Sequence, residues 1–166
     1  MLILRLSSRF SQFLRPQISY TAVKMTQSRG YAEAQMPLTF ASTTKVFYNQ
    51  SDIKQVDIPS YSGSFGILPN HVPAIAMLKP GVVTVYEQDG SFKKFFVSSG
   101  SVTINNDSSV QVLAEEAVPV ENLDPQACRE GLHKAQQDLG SATTDEARTE
   151  ANIAVEVHEA LIRAVE

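Results

Sequence analysis

The sequence predicts an α+β fold that is mostly β: a β domain built as a sandwich or flattened barrel, followed by a C-terminal antiparallel α-helical hairpin. Three observations predict it. Residues 36 to about 121 are dense in Val, Ile, Phe, Tyr and Thr and are broken by short turn signals, the mark of closely spaced strands. Beyond Leu123, apolar residues recur at helical spacing in two blocks divided by a short polar link. The 166 residues are 43% apolar and 19% charged, which suffices to bury a core.

Each element has its own signal. Ile53, Val56 and Ile58 precede Pro59 and a polar link at 60–63. Residues 82–86 are a strand, Asp89-Gly90 a tight turn, and Phe92–Val97 the return strand. Val102 and Ile104 alternate, as do Val110 and Val112, with Asn105-Asn106-Asp107 between the pairs. Glu115 and Glu116 are adjacent, so in a strand they face opposite sides and do not form a carboxylate pair. Asp124 caps a helix that Pro125 opens. Cys128, Leu132, Ala135 and Leu139 form its apolar stripe, and Gly140 is a stop signal. Thr143 with Glu146 reads as a capping box for a second helix. Its stripe is Ala147, Ala151, Ala154, His158, Leu161 and Val165. Small seam residues and a short link give an antiparallel pair.

Charge is distributed unevenly. Five basic residues and no acid lie in the first 31 positions; from Ala32 on, nine basic residues face 18 acidic ones, a net charge of −9. A body this acidic is not a general binder of phosphate backbones, so no nucleic-acid partner is expected. In the leader, Leu6, Phe10, Phe13 and Ile18 fall near helical spacing beside Arg5, Arg9 and Arg15, with seven Ser or Thr. That is the make-up of a mitochondrial transit peptide, expected over 1–31. Arg29 and Tyr31 followed by Ala32 resemble a matrix-processing pattern, with the cut after Tyr31. The expected domains are therefore 1–31, a β-sandwich at 32–122 and a hairpin at 123–166. No stretch approaches the roughly 18 apolar residues of a membrane span, so a soluble or peripheral mature protein is expected.

Candidate chemistry is sparse. Cys128 is the single cysteine, which excludes a disulfide framework, a multi-cysteine zinc site and an iron–sulfur cluster. His71 has no acid or second histidine within its segment and reads as a hydrogen-bonded structural residue. His133 and His158 lack metal-ligand spacing. Lys93-Lys94 reads as a solvated hairpin. Gly63-x-x-Gly66 lacks the Gly-Lys-Ser/Thr ending of a phosphate loop. No catalytic, cofactor or metal residue is expected.

The distinctive segment runs Gly63, Ser64, Phe65, Gly66, Ile67, Leu68, Pro69, Asn70, His71, Val72, Pro73 and reads as a loop whose glycines and prolines fix the backbone path. Leu78, Pro80, Gly81 and Val82 follow, then Phe96-Val97-Ser98-Ser99-Gly100 and Val110-Gln111-Val112-Leu113-Ala114. From about Pro37 onward the chain resembles the small rotor-stalk subunit of F-type ATP synthases, called epsilon in bacteria and delta in mitochondria. Ser99 replaces the first glycine of the family's Gly-Gly pair, and Ser101 stands where a large apolar residue is usual. The resemblance implies a two-sheet β-sandwich with a helical hairpin. It implies a non-catalytic central-stalk subunit that holds the gamma shaft, rests on the membrane c-ring and is joined by the mitochondrial epsilon subunit. Its place would be the matrix side of the inner membrane, peripheral to it. Gly63, Ser64, Phe65, Gly66, Ile67, Leu68, Pro69, His71 and Pro73 would be partner-binding, with 64–68 facing the ring. Bacterial members that bind ATP on the hairpin carry Asp-x-x-Arg at its start. Here Ala127 stands three after Asp124, so no nucleotide cofactor is expected. The competing readings are a free-standing matrix β-sandwich interaction module and a β-sandwich hydrolase; the second lacks a nucleophile–base pair.

Overall fold

A computed structural model describes residues 35–166. The expected transit segment and its processing residues Arg29, Tyr31 and Ala32 lie outside the described residues. The strands are β1 Pro37–Ser42, β2 Val46–Ser60, β3 Gly63–Ile67, β4 Ala74–Leu78, β5 Gly81–Glu87, β6 Phe92–Val97, β7 Gly100–Ile104, β8 Val110–Ala114 and β9 Ala117–Pro119. A short 3-10 turn at Val120–Asn122 leads to helices α1, Pro125–Ser141, and α2, Asp145–Val165. The α+β architecture expected from the sequence is present. Glu115 and Glu116 differ from expectation: they form the exposed turn between β8 and β9 rather than part of a strand.

The strand order is β1-β8-β7-β4-β2-β5-β6-β9, with β3 on the side of β2 and β1 also pairing β2. Fifteen residues long, β2 serves both layers of the sandwich. Its first half pairs β1, and its second half pairs β5 and β3. One layer is β1, β8, β7 and β4; the other is β3, the end of β2, β5, β6 and β9. All pairings are antiparallel except β1 with β8, where Leu38, Phe40 and Ser42 lie opposite Val110, Val112 and Ala114.

Alternation along the strands sends one side of each layer inward. Leu38, Phe40, Val102, Val112 and Leu78 meet Ile53, Val56, Ile58, Val83, Val85 and Val97, all at most 1% exposed. Fully burying one such side chain contributes about 1.5–3 kcal/mol. Phe40 stands edge-on to Phe95 at 5.2 Å between ring centres and 5.0 Å from Phe47. At the rim, Glu87 accepts a hydrogen bond from the Tyr48 hydroxyl at 2.9 Å and meets the Lys93 ammonium at 2.7 Å. Lys93 is thus paired, not simply solvated as the sequence suggests. Burial, reinforced by the Glu87 carboxylate, pushes the Tyr48 phenol well up. The Lys93 ammonium holds the Glu87 carboxyl down.

In the hairpin, the Asp124 carboxylate accepts from the Gln126 N–H at 2.8 Å, with Pro125 in the first turn as expected. Two boundaries differ by one residue. α1 passes Gly140 and ends at Ser141, and the cap of α2 is Thr144, not Thr143. The Thr144 hydroxyl accepts from the Ala147 N–H at 3.2 Å. This register places Asp145 and Glu146 in the first turn, where the helix dipole favours acids. Cys128 and Ala135 of α1 and Ala151 of α2 are buried. Ala160, absent from the sequence stripe, is buried too; with Ala164 it lines a cleft beside Pro59, Gly81 and Val82 on the outer side of β5.

Gly100 sets the strictest local condition. Its φ is +148°, and a Cβ there would strike the Leu113 carbonyl oxygen and stand 2.8 Å from the Ala114 Cα. The obstacles are backbone, so no side chain can move aside. Ser99, in place of the family's first glycine, meets no such condition: its carbonyl accepts from the Glu115 N–H at 3.0 Å. Gly100→Ala therefore lowers stability by more than about 2 kcal/mol, while Ser99→Gly changes it by about 1 kcal/mol or less. Urea denaturation of the two variants checks this; an unchanged midpoint for Gly100→Ala contradicts it.

Candidate functional site

The segment 63–73 is not one loop. Gly63–Ile67 is strand β3, paired antiparallel to the end of β2, and only 68–73 is irregular. The tight turn before it is held by Ser60, which is buried; its hydroxyl donates to the Gly63 carbonyl at 2.6 Å and lies 2.8 Å from the Ser62 hydroxyl. Gly63 has φ +123°, a conformation that favours glycine.

Along β3 the side chains divide. Ile67 is fully buried and Phe65 is half-buried against the core. Both were expected to face a partner; the pleat turns them inward instead, opposite Val56 and Ile58. Ser64 and Gly66 face out, opposite Pro59 and Asp57. Gly66 leaves room for a polar pair on β2: the Gln55 amide donates to the Asp57 carboxylate at 2.6 Å, and a Cβ on Gly66 would stand 2.8 Å from that same oxygen. The Asp57 charge also pushes the Tyr86 phenol up. Ser64 lines the cleft under the C-terminal end of α2, together with Arg163.

Beyond the strand, Leu68 and Val72 are exposed, and Pro73 with them. His71 is structural in its bonding. Its Nδ1–H donates to the Val72 carbonyl at 2.7 Å, its backbone N–H donates to the Leu68 carbonyl at 3.1 Å, and its ring lies 6.3 Å from that of Phe65. Asn70, at φ +63°, donates its N–H to the Ser108 hydroxyl at 3.1 Å, which ties the loop to the β7–β8 turn. The exposed part of the segment is thus Gly63, Ser64, Gly66, Leu68, Asn70, Val72 and Pro73, carried by an edge strand and its following loop.

A second surface escaped the sequence reading. On the outer side of the β4-β7-β8-β1 layer, cross-strand register builds two rows. Ile75, Thr103, Gln111 and Thr39 form one, and Met77, Ser101, Leu113 and Ala41 the other. None of these eight residues is charged. Ile75, Met77 and Leu113 are 78%, 63% and 53% exposed. Exposed Tyr61 adjoins the second row, its N–H donating to the Met77 carbonyl at 3.3 Å. The available signal was the run Ala74-Ile75-Ala76-Met77-Leu78, which is apolar on both faces of a strand. Such a run normally marks a strand covered on both sides. Large exposed apolar patches mark interaction sites.

His71, His133, His158 and Cys128 do not converge. Among the described residues, no group of three or more His, Cys, Asp or Glu could hold a metal ion. No helix there is long and apolar enough to cross a membrane. What the geometry offers is contact surface.

The chain is similar to known proteins over most of its described length. The family described as ATP synthase, delta/epsilon chain, β-sandwich domain matches residues 35–120. ATP synthase subunit delta, mitochondrial, of Caenorhabditis elegans is 46% identical over 145 residues, covering 82% of this chain and 88% of the relative. The subunit of the same name in Yarrowia lipolytica is 45% identical over 138 residues, covering 80% and 84%. Among solved structures, a chain of the Euglena gracilis mitochondrial ATP synthase, OSCP/F1/c-ring, aligns with TM-score 0.74 and 26% identity over 80% of this chain and 82% of that one.

Proposed function

The chain belongs to the ATP synthase delta/epsilon family, and from that premise we propose that it is a non-catalytic central-stalk subunit of mitochondrial F-type ATP synthase. It links the gamma shaft to the membrane c-ring and couples proton-driven rotation to ATP synthesis. The observation that carries this reading is the uncharged outer face of β4, β7, β8 and β1. The relatives that share the fold are named as subunits of that complex.

The joint must be stiff. One charge crossing 100 mV delivers about 2.3 kcal/mol. An exposed ion pair, worth ~0–1 kcal/mol, yields under that load. Each 100 Å² of apolar surface removed from water contributes about 2.5 kcal/mol, so an uncharged face with Ile75, Met77 and Leu113 exposed on it resists torque where scattered charges do not. The body carries −9, and the eight residues of the face carry none of it. We assign this face to the shaft. The ring is met by the exposed part of 63–73, namely Gly63, Ser64, Gly66, Leu68, Asn70, Val72 and Pro73; Ile67 serves the core. The mitochondrial epsilon subunit is the third partner. The chain works on the matrix side of the inner membrane, peripheral to it, after import on residues 1–31.

Ile75→Asp with Met77→Asp tests the shaft assignment. Both side chains are exposed, so the isolated double variant keeps its unfolding midpoint within about 1 kcal/mol of stability. On native gels of mitochondria it no longer co-migrates with the synthase, because each new carboxylate loses water at a contact without a partner. Normal co-migration and normal coupled ATP synthesis sink the assignment. For import, N-terminal sequencing of the matrix form is expected to start at Ala32; a start before Arg29 or well beyond Met36 contradicts the cut after Tyr31.

A further inference from the structure

One edge of the sandwich is left open. β3 pairs with the end of β2 on one side, and no described strand pairs with its other side. The direction of its backbone groups follows from β2. Tyr61 donates its N–H to the Met77 carbonyl, and Lys79 donates its own to the Pro59 carbonyl. Residues 59 and 61 thus turn their backbone groups toward β4, so Ser60, Ile58 and Val56 turn theirs toward β3. Their partners Gly63, Phe65 and Ile67 are the bonded residues of β3. Ser64 and Gly66 therefore direct their N–H and C=O groups to the open edge. Among the described residues nothing bonds to them there.

Proteins blunt such an edge with proline, lysine, a bulge or a very short strand. At the far end of the same layer, β9 is three residues long and ends in Pro119. β3 has none of these devices. Its five residues are uncharged, free of proline and paired in regular register.

Charge marks the same edge. Asp57 lies opposite Gly66, and its Oδ1 stands 2.8 Å from the place of a Gly66 Cβ. The carboxylate thus leans over β3 toward the open side. The Gln55 amide donates to it at 2.6 Å, but among the described residues no cation pairs with it. Lys94, beyond Thr84 in the same cross-strand row, holds its ammonium over the Phe92 ring at 5.9 Å instead. A strand laid beside β3 would lie about 4.8 Å from it. A long side chain opposite Gly66 on that strand reaches the carboxylate.

Given the assignment of 63–73 to the ring, on which this rests, we propose that the open edge of β3 takes up an extended segment of a polar ring loop as an added strand, bonded through the Ser64 and Gly66 backbone, with a lysine or arginine of that segment set against Asp57. Main-chain bonds give such a joint its strength, and the one charge selects the segment.

Hydrogen exchange of the assembled synthase, resolved to single residues by fragmentation, tests the pairing. The Ser64 and Gly66 amides exchange freely in the isolated chain and at least about tenfold more slowly in the complex. Equal rates in both overturn the proposal. Asp57→Asn tests the cation: the ring separates from the stalk about tenfold faster on dilution, followed on native gels. An unchanged rate overturns that pairing. Tyr86→Phe removes the hydroxyl beside Asp57 but keeps the charge, and the rate is expected to stay as in the unaltered chain. If Tyr86→Phe speeds separation as much as Asp57→Asn does, packing and not charge is at work, and the cation is overturned. The photoreactive benzophenone amino acid in place of Leu68 separates two kinds of failure. A product with the ring, alongside unprotected Ser64 and Gly66 amides, overturns the added strand and leaves the ring assignment standing. A product with another subunit alone overturns both.

Discussion

The close approach of the Gly100 backbone to β8 is the constraint on which the outer face depends. At the start of β7 the chain lies against the Leu113 carbonyl and the Ala114 Cα, nearer than any Cβ permits. That approach pins Gly100 opposite Ala114 and so puts Ser101 opposite Leu113 and Val102 opposite Val112. A slip of one residue would turn Val102 and Ile104 outward and bring Ser101 and Thr103 into the core. The same register continues through β4, where Met77 faces Ser101 and Ile75 faces Thr103. One glycine thus decides which side chains fill the sandwich and which are left on its surface. Ser101 then falls between Met77 and Leu113 as a small position within the exposed row.

The two outer faces of the sandwich have different fates. The β5 side is partly covered by this chain's own α2, with Ala160 and Ala164 beside Gly81 and Val82. Small residues there let the helix approach closely. The β4-β7-β8-β1 side has no such cover among the described residues, yet it is the less charged of the two. A monomer that stayed alone would gain solubility from charge at Ile75 or Met77. The absence of charge there, in a body of −9, is what a permanent partner explains. The edge strand β3 carries a different kind of surface: glycines, a serine and the Gln55–Asp57 pair, suited to polar loops rather than to a flat apolar partner.

Much of this was legible in the sequence because the signals were local. Asp89-Gly90 closes the β5–β6 hairpin through its own turn bonds, with the Asp89 carboxylate accepting from the Ser91 N–H at 2.8 Å. Asp124 and Pro125 start α1 through contacts within one turn. The failures are where the deciding partner is remote. β3 read as a loop because two glycines and a serine carry no strand propensity; its pairing with the end of β2 supplies the order instead. Ile67 was placed among the partner-binding residues because it belongs to the punctuated motif, although the pleat buries it. The cap of α2 moved from Thr143 to Thr144 because two adjacent threonines offer the same chemistry and helix register chooses between them. The face at Ile75 and Met77 was hidden for a simpler reason. An apolar residue on an uncovered strand face looks, in sequence, like one on a covered face, and only cross-strand register sorts them.

The central claim is that the uncharged outer face is the seat of the shaft. Photo-cross-linking from position 113 in the assembled synthase tests it most directly. With the photoreactive benzophenone amino acid in place of Leu113, irradiation is expected to join this chain to the gamma shaft. A product with the c-ring instead, or no product in a complex that is intact and coupled, contradicts it.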